Sequence, residues 1–303
     1  MRYVFQYPEM RGTSTDMLDA GDVATLAIAA EAAGWDGFSF TEHPAPGARW
    51  LAAGGHQSLD PFIALAHVAA VTSRLRLLTY LTVVPYRNPL LLAKSAATVD
   101  KLSKGRLTLG VGTGYLKSEF YAVGADFAER NQVFDEAMEV LPKHWSGDPF
   151  SYTGLHFDAR DIQGRPRPVQ DPIPIWIGGN SQLTLRRVAG WAQGWMPLTA
   201  PPQVVSTART ASLASAQDLA SRIRQMKDMA GRRGSRIDVA VAYSDALVWG
   251  ARDGDHGAAV AALEEVGVTW LVVSCPAASE GASLEFISSF PELVGGFGGG
   301  AEN

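Results

Sequence analysis

The sequence predicts an α/β fold in which eight parallel strands, each followed by a helix, close into a single (β/α)8 TIM-like barrel. Strand and helix patterns alternate along most of the chain. The 303 residues, 47% of them hydrophobic, can bury one large core, and barrels of this kind often reach this length as one domain. A doubly wound open sheet is the alternative that the alternation leaves open. We expect one domain over residues 1–303, with an excursion at 147–174 and a flexible glycine-rich tail at 295–303.

Four strand–helix pairs are predicted in the first half of the chain. Gly34 follows the first set of helically spaced apolar residues and ends that helix, and Asp60 with Pro61 forms a strong helix start. The predicted strands are the short apolar runs at residues 3–6, 38–41, 75–84 and 107–111. The predicted helices contain residues 23–30, the segment after Asp60, 89–102 and 134–141.

The excursion at 147–174 interrupts this alternation because it is rich in proline, glycine and polar residues. We interpret it as an addition to the same scaffold and not as a new domain. The predicted strands after it lie at 175–177, around Trp195, near 239–241 and at 270–273. The predicted helices between them contain residues 182–189, 219–230 and 259–266. The total is eight strands, as a closed barrel requires.

The composition argues against several classes of protein. With 26 Lys and Arg against 31 Asp and Glu, the formal net charge is −5, so there is no electrostatic reason to expect nucleic acid as a partner. The single cysteine, Cys275, cannot form an internal disulfide, which favours a reducing compartment. No apolar run resembles a signal peptide or a membrane span. We therefore expect a cytoplasmic protein that binds neither nucleic acid nor a membrane.

A carboxylate and an imidazole stand where the second predicted strand ends. Glu42 and His43 are at the carboxyl end of this strand, which is where barrel active sites lie. The loop after them carries Trp50 and His56 and could cover a pocket. His43 is a candidate acid or base, with a structural histidine as the alternative. Glu42 is a second catalytic candidate, or it orients the imidazole or binds backbone donors. No metal site is predicted, because neighbouring residues cannot easily share one metal and no HExxH motif exists.

Two glycine-rich turns follow predicted strands. Residues 110–115 resemble the dinucleotide fingerprint, but Tyr115 stands where the last glycine is required, so the pattern fails as a Rossmann signature. The second turn consists of Gly178, Gly179, Asn180 and Ser181. Its backbone N–H groups and the positive end of the following helix suit a phosphate. An ordinary helix N-cap is the alternative for this turn.

Longer stretches of the chain occur together in the order and spacing of a known family. They read TEHP, LTYLTVVPYRNPLLLAKSAATVDKLSKGRLTLGVGTGYLKSEF, ERNQVFDEAMEVL and PIPIWIGGNSQLTLRRVAGWAQGWMPL. On these stretches the chain resembles the luciferase-like monooxygenase superfamily and, within it, the coenzyme F420-dependent oxidoreductases of actinobacterial type. The last third of the chain contributes only the barrel alternation.

The resemblance implies a flavin or deazaflavin at the carboxyl ends of the barrel strands. His43 would lie beside the reactive ring, and a non-proline cis peptide between Tyr80 and Leu81 would support that ring from behind. The cofactor-binding residues that the resemblance implies are Tyr80, Leu81, Thr113, Gly114, Tyr115, Gly178, Gly179, Asn180 and Ser181. The last four would hold the phosphate.

The implied function is hydride transfer between F420 and a small organic substrate, with His43 as the acid or base. An FMN-dependent monooxygenase is the near alternative, and a non-catalytic flavin- or deazaflavin-binding protein is the distant one. The family's sugar-phosphate dehydrogenases carry a glutamate where this chain has Tyr115, so the resemblance does not extend to activity on glucose 6-phosphate. A homodimer is left open.

Overall fold

Parallel strands close into a barrel in the computed structural model, which describes residues 1–9, 16–199, 211–213, 215–243, 255–276 and 279–297. The strands in chain order are β1 (Arg2–Gln6), β2 (Gly37–Phe40), β3 (Arg76–Thr79), β4 (Thr82–Val83), β5 (Leu107–Gly112), β6 (Pro149–Thr153), β7 (Asp158–Gln163), β8 (Ile175–Gly178), β9 (Gly194–Met196), β10 (Asp238–Tyr243) and β11 (Trp270–Ser274). The barrel order is β3-β2-β1-β11-β10-β9-β8-β5-β4, and an additional pairing between β3 and β5 closes the ring. The predicted (β/α)8 class is confirmed, because β3 and β4 together occupy one strand position.

Helices surround the barrel and connect its strands. They are α1 (Val23–Ala32), α2 (Ala48–Ala52), α3 (Pro61–Val71), α4 (Pro89–Leu102), α5 (Lys117–Ala122), α6 (Arg130–Ser146), α7 (Gln182–Gly190), α8 (Ala216–Ala230), α9 (His256–Glu265) and α10 (Glu280–Leu293). The predicted start of α3 is confirmed, since the Asp60 side chain accepts hydrogen bonds from the N–H groups of Phe62 and Ile63. Asn88 caps α4 in the same manner. None of the helices that the structure describes is long and apolar enough to cross a membrane.

The barrel interior is filled by every second strand residue, as the two-residue period of a strand requires. Val4, Leu78, Trp176 and Val272 belong to one buried cluster in the barrel, whereas their strand neighbours pack in a larger cluster with the helices. Gly110 faces the same interior, where there is no room for a side chain. A Cβ atom there would lie 2.0 Å from the carbonyl oxygen of Thr79. The glycine therefore lets β3 and β5 approach where β3 ends.

The excursion forms a β-hairpin in which β6 and β7 pair antiparallel. His156 connects the hairpin loop to α6. Its two ring nitrogens contact the carboxylates of Glu136 in α6 and of Glu129, the residue before α6. The Nδ1 atom lies 2.8 Å from Glu136 Oε1, and the Nε2 atom lies 3.0 Å from Glu129 Oε2. The hydrogen bond to Glu136 and the contact with Glu129 raise the pKa of His156 above its ordinary value of 6.5.

The His156 contact predicts a pH-dependent contribution to stability. A histidine whose pKa is raised on folding stabilises the folded protein. This contribution is complete below about pH 6.5, the pKa in the unfolded chain, and is lost as the pH rises through the pKa in the folded protein. We expect the free energy of unfolding of the wild type to fall over this window by more than that of His156→Gln. Urea denaturation from pH 5.5 to pH 8.5 measures the difference, with the exposed His67→Gln as control. Parallel pH profiles of His156→Gln and wild type would contradict the assignment.

The end of the chain differs from the prediction. Helix α10 was not predicted, although Ser279 caps it and Ile287 and Phe290 are buried on one face. Of the predicted flexible tail at 295–303, the structure describes residues only as far as Phe297. Its ring stacks on Tyr3 at a centroid distance of 4.4 Å, so this first part of the tail is packed. Residues 298–303 lie outside the described part of the chain.

Candidate functional site

Both carboxylate oxygens of Glu42, which follows β2, accept hydrogen bonds from neighbouring groups. The Val83 N–H donates to its Oε2 atom at 2.6 Å, and the Arg87 Nε donates to its Oε1 atom at 2.9 Å. A second Arg87 nitrogen also contacts Oε1 and bridges to Asp60. The carboxylate therefore ties the chain after β2 to β4 and the segment that follows it. None of these contacts orients His43.

His43 is held by a different carboxylate, Glu119 of α5. The imidazole Nδ1 lies 3.1 Å from Glu119 Oε2, and the His43 backbone N–H donates to Ser58 Oγ at 2.7 Å. Among the described residues, none hydrogen-bonds the other ring nitrogen, Nε2. If Nδ1 carries the proton that Glu119 accepts, Nε2 is left with a lone pair that can take a proton. The contact thus selects one tautomer and one ring orientation.

Glu119 is buried, and three donors satisfy its carboxylate. Besides His43, the Tyr86 hydroxyl donates to Oε2 at 3.1 Å and the Ala45 N–H approaches Oε1 at 3.3 Å. Burial and the adjacent Glu119 charge raise the pKa of Tyr86 well above its ordinary range, so this phenol stays protonated and donates. The tyrosine and the backbone thereby fix the carboxylate that holds His43.

The loop after His43 folds back over it with aromatic rings. Trp50 of α2 and His56 each lie with their ring centroid 4.7 Å from that of His43. Tyr115 approaches from the turn after β5 at 6.3 Å. Gly55 permits this packing, because a Cβ atom there would lie 2.4 Å from the Trp50 ring. The loop that the sequence suggested as a cover is therefore packed on the imidazole.

A second imidazole–carboxylate contact lies in the same region. The His56 Nε2 atom is 3.4 Å from Glu9 Oε2, and Glu9 follows β1. The other carboxylate oxygen of Glu9 accepts a hydrogen bond from the Gln6 side-chain nitrogen. The side-chain oxygen of Gln6 in turn accepts one from the Ser274 hydroxyl at 3.3 Å. Polar side chains from the ends of β1 and β11 thus extend the site that begins at His43.

The predicted cis peptide between Tyr80 and Leu81 is present. It separates β3 from β4, next to the strand whose end carries Glu42 and His43. Glycines surround the Leu81 side chain: a Cβ atom at Gly178 would lie 2.2 Å from it, and one at Gly112 would lie 2.6 Å from it. The two glycines therefore leave room for the Leu81 side chain between three neighbouring strand ends.

The turn after β8 leads into α7, and the backbone N–H of its Gly179 donates to the Met196 carbonyl at 3.1 Å. Gly179 has φ +109°, a conformation that other residues rarely adopt. Ser181 caps α7, and its Oγ accepts the Thr184 N–H at 3.0 Å. The buried amide of Asn180 accepts from Leu198 N–H and donates to the carbonyl oxygens of Leu198 and Ala211. Its side chain joins two chain segments to the turn.

The turn after β5 packs against the helix that carries Glu119. Gly114 has φ +76°, and a Cβ atom there would lie 2.6 Å from Val83 and 2.8 Å from Phe120. Thr113 precedes it, and Tyr115 follows it toward His43. Burial and the nearby Glu119 raise the pKa of Tyr115 above its ordinary range. The structure thus brings Tyr115 to His43, and Gly114 lets the turn approach β4 and α5.

The residues at this end of the barrel fit a flavin or deazaflavin. Three buried hydroxyl groups near strand ends have no hydrogen-bond partner among the described residues; they belong to Thr41, Thr82 and Thr199. Buried polar groups are nearly always paired, so these atoms can serve the polar edge of a bound ring. The aliphatic Leu81 side chain suits the face of the ring, and the N-terminal end of α7 suits its phosphate. Within the described residues, no group of three His, Cys, Asp or Glu side chains is placed to hold a metal.

The sequence did not reveal the residues that position the imidazole. Glu119 lies within a stretch that carried the family resemblance, but 76 residues separate it from His43. Tyr86 lies in the same stretch but has no local motif, and Glu9 lies outside every stretch that carried the resemblance. The available signal was that Glu119 is an acidic residue in the first turn of a short helix after a strand end, which places it at the active end of a barrel.

Comparisons with known proteins agree with this geometry. The family profile of the luciferase-like monooxygenases matches residues 3–253. The uncharacterized protein Rv0940c of Mycobacterium tuberculosis is 32% identical over 219 residues, covering 72% of this chain and 68% of the relative. The F420-dependent glucose-6-phosphate dehydrogenase of Gordonia bronchialis is 30% identical over 192 residues, covering 60% of this chain and 54% of that enzyme.

A solved structure supports the fold. The monooxygenase RslO1 from Streptomyces bottropensis superimposes with a TM-score of 0.74 at 21% identity, covering 97% of this chain and 98% of RslO1. At this identity the likeness concerns the fold, whereas the family profile covers most of the sequence. The chain belongs to the luciferase-like monooxygenase family.

Proposed function

We propose that this member of the family is an F420-dependent oxidoreductase that transfers hydride between the deazaflavin and a small organic substrate. The observation that carries the proposal is His43, which follows β2 and whose imidazole is held by the buried Glu119. The deazaflavin would supply a ring carbon that accepts or donates hydride. The chain must then hold that ring and manage one proton.

His43 is the residue we assign to that proton. Its Nδ1 is bound to Glu119, so Nε2 is the nitrogen directed to chemistry. Glu119 stabilises the imidazolium that forms when Nε2 takes a proton from a substrate hydroxyl. Trp50 covers the imidazole and restricts the access of water. We propose that Glu42 is a positioning residue, since its oxygens are taken by Val83 and Arg87.

The cofactor would be held by three parts of the barrel. Tyr80 and Leu81 would lie behind the ring, the turn of Thr113, Gly114 and Tyr115 would border it, and the turn at 178–181 would bind the phosphate through backbone N–H groups. Burial raises the pKa of Tyr80 above its ordinary range, so it presents a neutral surface to the ring. The oligomeric state, including a homodimer, stays a prediction.

An FMN-dependent monooxygenase is the second candidate. It is favoured by the monooxygenase RslO1, whose fold matches almost the whole chain. Dependence on F420 is favoured by the Gordonia enzyme, which is 30% identical to this chain over 192 residues, whereas RslO1 is 21% identical. A binding protein without activity is the third reading, and it would bind a cofactor without turning it over. The cofactor is therefore the first property to measure.

The test is a titration of the purified protein with F420 and FMN in parallel. We expect F420 to bind at least about tenfold more tightly than FMN, a difference of about 1.4 kcal/mol. We also expect Gly179→Ala to weaken F420 binding by at least about tenfold, because a Cβ atom at the helix end obstructs the phosphate. Fluorescence or calorimetric titration gives both affinities.

Gly267→Ala is the matched control for this variant. Gly179 and Gly267 have φ +109° and +100°, and at each a Cβ atom would meet its nearest neighbour at 3.3 Å. Both variants should therefore lose similar stability, about 1–2 kcal/mol, from a left-handed backbone. Only Gly179→Ala should lose affinity. Equal affinity losses in both variants would contradict the phosphate assignment, and tighter binding of FMN than F420 would favour the monooxygenase.

A further inference from the structure

We propose that residues 46–57 form a lid that is closed over His43 in this structure and opens to admit the substrate. The lid lies between two points that are tied to the site. The Ala45 N–H donates to Glu119, and the Ser58 hydroxyl accepts from the His43 N–H. This inference rests on the proposed function, because the lid would control access to the nitrogen that takes up the substrate proton.

The closed lid leaves little room for a ligand at the imidazole. Trp50 and His56 of the lid each lie with their ring centroid 4.7 Å from that of His43, whose side chain is 9% exposed. A cavity beside the end of the lid at Gln57 has a volume of about 10 Å³. This is the space of about one water molecule, whereas sites for small molecules measure about 300–1,000 Å³. The lid must therefore move before a substrate can lie against Nε2.

The helix of the lid, α2, is weakly attached to the barrel. It contains no buried residue, whereas α3 and α4 each bury a whole face. Gly47, which precedes α2, supplies no side-chain cap. A segment that buries few apolar groups opens at a lower cost in free energy than the core elements do. The lid can thus leave the imidazole while the barrel stays folded.

Glycines lie at both ends of α2. Gly47 precedes the helix, and Gly54 and Gly55 follow it. Gly54 has φ +91°, and a Cβ atom there would meet no described atom within 4 Å. A glycine backbone absorbs the changes in dihedral angle that a hinge requires. We assign the hinges to these glycines, with α2 moving as one unit.

The two positions of the lid serve successive steps of the proposed reaction. The open lid gives the substrate hydroxyl access to Nε2 of His43. The closed lid returns the Trp50 indole to the imidazole and keeps water away while the proton is transferred. An indole suits this role because it is large and has a donor but no acceptor, so it does not compete for the proton.

A disulfide between residues 47 and 118 can hold the lid closed. A Cβ atom at Gly47 would lie 3.5 Å from the Ser118 Cβ atom, which is within the range of about 3.5–4.5 Å that a disulfide needs. Gly47 has φ −67°, a conformation open to any residue. Ser118 belongs to α5, the helix that holds His43 through Glu119. The double variant Gly47→Cys with Ser118→Cys should form this bridge on mild oxidation, and a thiol should break it.

The test measures acylation of His43 by diethyl pyrocarbonate in protein without cofactor or substrate. The reagent modifies a neutral imidazole at the nitrogen that carries the lone pair, and mass spectrometry of the digested protein locates the label. We expect the rate at His43 to be at least about tenfold lower in the oxidised double variant than in wild type, and to recover on reduction, because labelling requires local opening. The exposed His67 is the internal reference. Ser118→Cys alone, treated with the same oxidant, is the matched control and should be labelled like wild type.

Equal rates at His43 in the oxidised and the reduced double variant, whether both are fast or both slow, would overturn the lid. If the bridge does not form, Trp50→Ala decides. It should raise the rate at His43 at least about threefold, because the opening no longer has to move an indole off the ring, whereas Arg49→Ala, exposed on the same helix, should leave it unchanged. An unchanged rate in Trp50→Ala would also overturn the lid. Because no cofactor is present, a failure of F420 to bind would refute the proposed function without affecting this result.

Discussion

Replacing His43 by asparagine is expected to lower the rate of hydride transfer by about 10²–10⁴ while cofactor affinity stays within about threefold of wild type. Asparagine places an amide nitrogen near the position of Nδ1, so the contact with Glu119 can persist. The Nε2 atom, which we assign to the proton, is lost. Single-turnover kinetics with a substrate found by screening simple alcohols and conjugated enones gives the rate. Fluorescence titration gives the affinity.

Glu119→Gln separates positioning from proton transfer in this experiment. The variant keeps an acceptor for one donor but no longer carries the charge that favours the imidazolium. We expect a smaller loss of rate than in His43→Asn, because the nitrogen assigned to the proton is kept. A His43→Asn protein with near-normal hydride transfer would exclude His43 as the acid or base. A parallel loss of rate and cofactor affinity would instead indicate that the imidazole binds the cofactor.

The sequence predicted the barrel well because local patterns determine it. Each predicted strand lies in the structure within about two residues of its expected position, as strong apolar periodicity allows. The cap at Asp60 and the helix from Pro89 depend only on neighbouring residues, and both were predicted correctly. The cis peptide at Tyr80–Leu81 came from the family resemblance and could not have been derived from the residues themselves.

The contacts within the site could not be predicted, because they join distant parts of the chain. His43 pairs with Glu119 and not with its neighbour Glu42, since successive residues after a strand project in different directions. Asn180 reaches Ala211, 31 residues away. Its amide therefore holds two distant segments to the turn, and no sequence pattern indicates this contact. Periodicity shows which residues reach the barrel end but not which of them meet.

Glu42 illustrates the difference between a buried charge and a catalytic one. Burial raises the pKa of its carboxyl even though Arg87 is attached, so desolvation outweighs the attraction of the guanidinium. Such a pair contributes little net stability compared with apolar side chains of the same size. Removing one partner is nevertheless costly, because the other partner and the Val83 N–H are left unsatisfied.

Glu42→Ala is therefore expected to lower the free energy of unfolding by about 2–3 kcal/mol, less than for a fully buried pair because Arg87 is 27% exposed. Urea denaturation measures this loss, and the double variant Glu42→Met with Arg87→Met should recover part of it because no unpaired charge remains. Hydride transfer in cofactor-saturated, folded Glu42→Ala should stay within about tenfold of wild type, since Glu119 still orients His43. A much larger rate loss with unchanged stability would make Glu42 catalytic, as its position beside the imidazole first suggested.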